Sequence, residues 1–409
     1  MKFIIFFFIY FLGLGSYLSA LSPYADQHFG EQAYWIYLAG QMGYPLGYLV
    51  GGYLSDRLRL LRPLLLIGLV LLVPAQWLQF SPDLPFPLIL TAAICNRMLL
   101  AVNLQLASIA LLESAGPEPF SRIRSSGTLG FAVIQCALWV TLTVMDYSAA
   151  QPFPFSLSGK TGALFFVLCL LPAARIQTHR ISHERYNFMK ALRSMNQPAH
   201  ILFLVLSFFY FFAFQLIDNY VGAFFDRSGG GRLVFLGWFL AVIFEIPFLF
   251  YTAPMARRFG IRALFLLAAI TGVARFSFYS AYIMGIIDTA PMMLIQLIHG
   301  IQFMSYYMGA IFYLKSAHPD HLYGSVHGLY FLVGNALGGI SGNIVLGHIL
   351  NSNAAFSGAQ LALDALELHA YRAEVLHFLP VFGLALVIEI LVGLGFLFLR
   401  SPALRSGKA

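Results

Sequence analysis

Ala33-Tyr-Trp-Ile-Tyr-Leu-Ala-Gly-Gln-Met-Gly-Tyr-Pro-Leu-Gly-Tyr-Leu-Val-Gly-Gly-Tyr-Leu-Ser-Asp-Arg57 is an apolar run that ends on an acidic-basic pair. No charged residue interrupts it before Asp56. About 20 apolar residues in a helix cross a hydrocarbon core of roughly 30 Å. Working outward, comparable runs fall near 3–22, 33–54, 63–80, 86–112, 123–145, 157–174, 200–225, 233–253, 263–285, 290–314, 323–350 and 376–399. Proline, glycine or charge marks most breaks, as in Ser81-Pro-Asp-Leu-Pro85, Gln151-Pro-Phe-Pro154 and Ser228-Gly-Gly-Gly231. The pattern predicts an all-α membrane protein with twelve transmembrane helices.

Composition agrees. The chain has 409 residues, 59% hydrophobic and 10% charged, with a mean hydropathy of +0.78. Soluble domains carry about a quarter charged residues, so lipid is the solvent that suits this chain. The net charge of +7 does not point to nucleic acid, because the basic residues sit between apolar runs. Cys95, Cys136 and Cys169 all fall inside such runs and read as packing residues. Met1-Lys2 followed by the run to Tyr17-Leu-Ser-Ala20 has some features of a signal peptide. Its length, and the many similar runs after it, mark it as the first helix.

Lys and Arg set the orientation. With the Met1 end counted as cytoplasmic, 18 of the 24 lie on that side. Four lie opposite: Lys160, Arg227, Arg232 and Arg372. Arg97 and Arg275 remain inside runs. The alternation predicts both termini in the cytoplasm and a cell inner-membrane location. The polar stretch 175–199 divides the runs six and six, which predicts an N-terminal bundle over 1–174, a cytoplasmic linker over 175–199 and a C-terminal bundle over 200–409. A second polar loop, Asn351–Glu374, falls on the other face and reads as part helix.

The two halves resemble each other. Glu113-Ser-Ala-Gly-Pro-Glu118 lines up with Lys315-Ser-Ala-His-Pro-Asp320 at a spacing of 202 residues. Gly52-Tyr-Leu-Ser-Asp-Arg57 lines up with Ala253-Pro-Met-Ala-Arg-Arg258 at 201. Two matches at nearly one spacing, both in cytoplasmic connections, indicate a duplication of the kind found in alternating-access transporters.

These features resemble the major facilitator superfamily. Gly51-Gly-Tyr-Leu-Ser-Asp-Arg57 is similar to its signature in the loop after helix two, and the resemblance implies a gating role for Gly52, Asp56 and Arg57. Within the superfamily, the chain resembles the group of lactose permease, the nucleoside/proton symporters and the phenylpropionate permeases. Phe120-Ser-Arg-Ile-Arg-Ser-Ser-Gly-Thr-Leu-Gly-Phe131, Phe244-Glu-Ile-Pro-Phe248, Ala274-Arg275 and Leu297-Ile-His-Gly-Ile-Gln-Phe303 carry that resemblance. It implies the major facilitator fold and secondary active transport of a small organic solute, such as a sugar, nucleoside or aromatic acid. It implies proton symport, the proton and the lipid bilayer as partners, a monomer, and no cofactor.

A charge within a span is costly and marks a functional candidate. The resemblance implies substrate contacts for Glu113, Arg124 and Phe131. It implies proton coupling for Asp218, Glu245, Arg275 and His299, with Gln302 standing where lactose permease has a carboxylate. Asn335 takes the place of the lysine partner of Asp218. From depth along the helices, at about 1.5 Å per residue, Glu245 and Arg275 form a candidate pair. Arg97, beside Asn96 and near Asn103, is a candidate contact for an anionic solute or reaches the outer interface, and Asn103 is a candidate substrate contact on the same helix. Each of these has a structural reading beside it: a buried pair for Glu245 and Arg275, a carbonyl hydrogen bond for His299, and snorkelling for Glu113 and Arg124.

Two rival classes stay open. A polytopic enzyme would need a catalytic motif, and Gly-x-Ser-x-Gly, His-Glu-x-x-His and the phosphate-binding Gly-x-x-x-x-Gly-Lys loop do not occur. His318 and His321 do not complete a metal site and read as solvated loop residues. A non-transporting sensor is the second rival.

Overall fold

The computed structural model describes residues 1–58, 60–115, 120–145, 153–176, 188–368 and 371–399. The helices are α1 (Lys2–Phe29), α2 (Ala33–Leu58), α3 (Leu61–Gln79), α4 (Phe86–Ala115), α5 (Phe120–Val144) and α6 (Phe155–Ala174). A short α7 (Phe188–Ser194) precedes α8 (Pro198–Gly229), α9 (Gly231–Ile243), α10 (Glu245–Phe259) and α11 (Ile261–Ile283). Then follow α12 (Thr289–Leu294), α13 (His299–Ala317), α14 (Asp320–Tyr330), α15 (Gly339–Leu350), α16 (Asn353–Ala365) and α17 (Leu379–Phe398). No strand occurs among the described residues.

Among the described residues, ten helical stretches are long and apolar enough to cross a membrane. One of them, Lys2–Gly51, has 50 residues, about 75 Å at the helical rise. That is two crossings, and the 3-10 turn Gly30–Gln32 joins them. Thr289–Ala317 also runs as helix but is not among the ten; Gln296, His299, Gln302 and Lys315 lower its apolarity. The arrangement is consistent with twelve crossings.

Several local expectations change. The signature expected in a loop after helix two forms the last turns of α2, which runs on to Leu58. The eighth apolar run is interrupted at Phe244, so α9 and α10 are separate helices. The second polar loop does contain a helix, α16, capped by the Ser352 hydroxyl, which accepts from the Ala355 N–H.

The chain forms two compact units, residues 1–183 with 219–239, and residues 184–218 with 240–409. In the first, α2 lies on α4 through Gly43 and Gly47. A Cβ on either would run into the carbonyl of Ile94 or Met98, so the missing side chains set the approach. α1 packs on α5 and α6, and Gly130 of α5 sits on the Phe8 carbonyl. The stretch 219–239 belongs to this unit. Arg227 grips Asp26 with two hydrogen bonds, of 2.8 and 2.7 Å, and Gln27 donates to Asp226 at 2.9 Å.

In the second unit, α11 is central, packed on α10, α13 and α17. Gly338 and Gly342 sit on the Phe208 and Phe212 carbonyls of α8. This repeats the contact of Gly130 with Phe8, as a duplicated chain would. Between α14 and α15 the helix widens to a π-helix over Phe331–Gly338, and Asn335 lies in it. His318 is buried with its ring 4.6 Å from that of His200, so it is not the solvated loop residue its position suggests. Burial, with His200 beside it, pushes its imidazole down to about 4.

Candidate functional site

Arg275 sits on the buried face of α11, fully enclosed. Tyr279, one turn on, shares that face. Opposite them the chain enters α13 through a 3-10 turn, Ile295–Ile298. In a 3-10 helix residues i and i+3 eclipse, which brings Gln296 into line with His299. Gln302, three further along, completes the row.

The guanidinium uses both terminal nitrogens fully. One donates to His299 Nδ1 at 2.9 Å and to Gln302 Oε1 at 2.7 Å. The other donates to Tyr279 Oη at 3.0 Å and to Gln296 Oε1 at 2.9 Å. Gln296 Nε2 in turn donates to Tyr279 Oη. Hydrogen bonds to a charged group contribute about 1.5–3 kcal/mol each, and four of them offset the desolvation of a buried cation. Arg275 Nε has no hydrogen-bond partner.

The geometry assigns the histidine. An arginine can only donate, so His299 Nδ1 accepts and the hydrogen of the neutral ring sits on Nε2. That nitrogen faces Glu245 Oε1 at 3.9 Å. Phe303 lies parallel to the ring, and Phe214 lies beside both. Glu245 arrives at this point because Gly300 lets the Phe244–Glu245 backbone approach. A Cβ on Gly300 would stand 2.5 Å from the Glu245 nitrogen.

On the other side Gln302 Nε2 donates to Glu389 Oε1 of α17 at 3.2 Å. Glu389 is fully buried, and its second oxygen has no hydrogen-bond partner. Gly272 makes the room: a Cβ there would lie 2.7 Å from both Gln302 Nε2 and Glu389 Cδ. The result is a line of five side chains, Glu245, His299, Arg275, Gln302 and Glu389. A carboxyl stands at each end and the cation at the centre.

The structure thus gathers four of the residues singled out from sequence, Glu245, Arg275, His299 and Gln302. The pairing differs from expectation. Arg275 reaches Glu245 only through His299, because depth along a helix fixes height and not rotation about its axis. Sequence reading missed Glu389, Gln296 and Tyr279. The rule that selected the others, a charge inside an apolar run, also selects Glu389, which stands alone in the run 376–399. Gln296 and Tyr279 carried no such mark.

The other candidates lie in the first unit. Arg97 is buried between α1, α2 and α4; its Nε donates to Tyr17 Oη at 3.0 Å and its guanidinium lies over the Tyr17 and Tyr44 rings. Asn103 is fully buried against Gly68 of α3, a helix-packing position. Arg124 lies over the Phe11 ring at 4.2 Å, half-buried. Phe131 is buried, its ring 6.0 Å from Trp238. The side chains of Gly52, Asp56, Arg57, Glu113 and Asp218 lie outside the described residues.

The sequence profile of the MFS_1 like family matches residues 1–359. An uncharacterized transporter, YwbF of Bacillus subtilis (strain 168), is 24% identical over 281 residues, 67% of this chain and 68% of that one. Among solved structures, a variant of the nucleoside transporter NupG superposes with a TM-score of 0.78 at 15% identity, covering 98% of this chain and 99% of that one. A D-xylose-proton symporter superposes with a TM-score of 0.67 at 15% identity, covering 100% and 99%. At that identity the likeness of the structures is one of fold.

Proposed function

The chain belongs to the MFS_1 like family, a multi-pass membrane transporter family of the major facilitator fold, and on that premise we propose that this secondary transporter takes up a small organic solute by proton symport. The observation that carries the reading is the buried line Glu245–His299–Arg275–Gln302, with its single enclosed cation. A carboxyl one residue from an arginine changes its proton occupancy when water access or a bound solute changes the local field. The proton and the solute are then linked reciprocally. A neutral, hydrogen-bonding solute such as a nucleoside or sugar suits this reading, since the structures similar in fold include a nucleoside transporter and a xylose-proton symporter.

The reading extends to the rest of the chain. The bundles over 1–174 and 200–409 are the alternating-access halves, 175–199 is their cytoplasmic linker, and both termini face the cytoplasm of the inner membrane. Arg97, Arg124, Phe131, Glu113 and Asn103 serve the solute, although the packing of Asn103 on Gly68 makes it the weakest member. Asp218 is a second acid for coupling, and Gly52, Asp56 and Arg57 gate. The protein works as a monomer and not as an enzyme. Its family and its helical plan both support transport over catalysis.

Purified protein in proteoliposomes tests this. Uridine and D-xylose should accumulate when the lumen is alkaline, and a protonophore should abolish the accumulation. Glu245→Gln should lose accumulation against a gradient and keep exchange of internal for external solute. Uptake by wild type that ignores the protonophore would refute proton coupling. No gradient-dependent uptake across sugars, nucleosides and aromatic acids would return the protein to the enzyme or sensor class.

A further inference from the structure

Glu389 is the residue that the reading above leaves without a task. It is a carboxyl in the middle of α17, fully enclosed, on a helix with no other charged residue between Leu379 and Phe398. A buried acid on such a helix is expensive. Gly272 adds a second observation. A side chain at this position would overlap both Gln302 and Glu389, so the packing of α11 on α17 leaves space for that one contact.

Charge counting then decides what the acid does. Within the cluster the one permanent cation is Arg275. His299 is neutral, because its Nδ1 accepts from the guanidinium. Two carboxyls, Glu245 and Glu389, stand at opposite ends of the line. In a low-dielectric interior one cation balances one anion, and a second anion has no counterpart. The cluster is neutral only when the two acids hold one proton between them. The charged and titratable groups acting on Glu389 are Arg275 of α11, through the Gln302 amide, and the Tyr306 hydroxyl of α13.

The two ends are not equivalent. The Glu245 side chain keeps 12% of its surface exposed and lies against the Nε2–H side of His299, a setting suited to the anion. Glu389 has no exposure, accepts one hydrogen bond from a neutral amide, and has one oxygen with no donor aimed at it. An enclosed neutral carbonyl oxygen without a donor costs less than a carboxylate oxygen in the same place.

We propose that Glu389 is a proton-binding site of this protein, holding the cluster's proton while Glu245 is ionised. Gln302 takes up the same position in both states: its carbonyl stays on Arg275 and its amide on Glu389. It therefore transmits the charge on one acid to the field at the other without carrying the proton itself. In the transport cycle the proton enters from water, resides on Glu389 and leaves to water; no other bond is made or broken. The coupling role rests on the proton-symport reading above, whereas proton binding by Glu389 does not.

Infrared spectroscopy of the full-length protein in lipid separates the two. At about pH 7 exposed carboxyls are ionised, so a protonated carboxyl band reports an enclosed acid. Wild type should show that band and lose it on alkaline titration. Glu389→Gln should lack it, and Glu389→Asp should keep it at a shifted frequency. The aspartate variant and a thermal transition guard against a misfolded glutamine variant. An identical band in Glu389→Gln, or no titrating band in wild type, overturns the proposal. Uridine and D-xylose then test coupling: Glu389→Gln should exchange solute but fail to accumulate it. If the band assigns to Glu389 and wild type moves both probes without a proton requirement, the symport reading fails and the proton site stands. If Glu389→Gln still accumulates either probe as wild type does, Glu389 has no coupling role.

Discussion

Arg275 donates four hydrogen bonds, and none of them ends on a carboxylate. Its acceptors are an imidazole, two amides and a phenol, and both acids stand one residue further out. Gln302 is therefore the most exacting position in the cluster, an acceptor for the cation and a donor to Glu389 at once. Gln302→Leu keeps much of the volume and removes both bonds. It should cost about 1–3 kcal/mol, the penalty of leaving buried polar groups unsatisfied, and lower the thermal midpoint in detergent. Gln302→Glu places a carboxylate directly on Arg275 and should recover the midpoint lost by the leucine variant. Equal midpoints for Gln302→Leu and wild type would show that these bonds carry no stability.

At the scale of elements, two glycines and one tightened turn assemble the site. Gly300 admits the start of α10, Gly272 admits the contact between α13 and α17, and the 3-10 entry to α13 aligns Gln296 with His299. Adding a methyl group to a filled interface costs about 1–3 kcal/mol. Gly383 is the natural control, since nothing lies within 4 Å of where its Cβ would be. Replacing a helical glycine by alanine in open space stabilises by roughly 0.5–1 kcal/mol. Gly272→Ala should therefore lower the thermal midpoint and Gly383→Ala should hold or raise it. The same direction for both would mean that the Gly272 approach is not tight.

For the whole molecule, the distribution of basic residues is the ordering principle, and the structure explains three of the four that sit against it. Arg227 is held by Asp26. Arg372 donates to the Tyr282 carbonyl in the last turn of α11 at 2.6 Å and to the Ile287 carbonyl beyond it at 3.2 Å. Lys160 lies over the Trp77 ring. These residues have structural partners, and the remaining asymmetry predicts the orientation. Cysteines introduced at Arg180 and at Asn353 should show opposite reactivity toward an impermeant reagent in intact cells, Asn353 labelled from outside and Arg180 not. Labelling of both from outside would reverse the cytoplasmic placement of the linker.

The helical membrane class, the approximate spans and the duplication could all be read from the chain itself. Hydrophobic length and loop charge are local quantities, and a span must be apolar over its whole length whatever its neighbours do. The candidates Arg275 and His299 were legible for the same reason, as charges in runs that should hold none. Glu389 meets that test equally well, but no stretch of sequence shows that its partner is Gln302, 87 residues away. Rotation about each helix axis, the 3-10 entry to α13 and the two close approaches at glycine decide which polar groups meet. Those depend on packing among α10, α11, α13 and α17, where a turn of tens of degrees exchanges one neighbour for another without changing the apolar length of any helix. So the sequence determined that this is a transporter-like bundle with a charged interior, and the tertiary structure alone decided that Glu245 meets Arg275 through His299, and Glu389 meets it through Gln302.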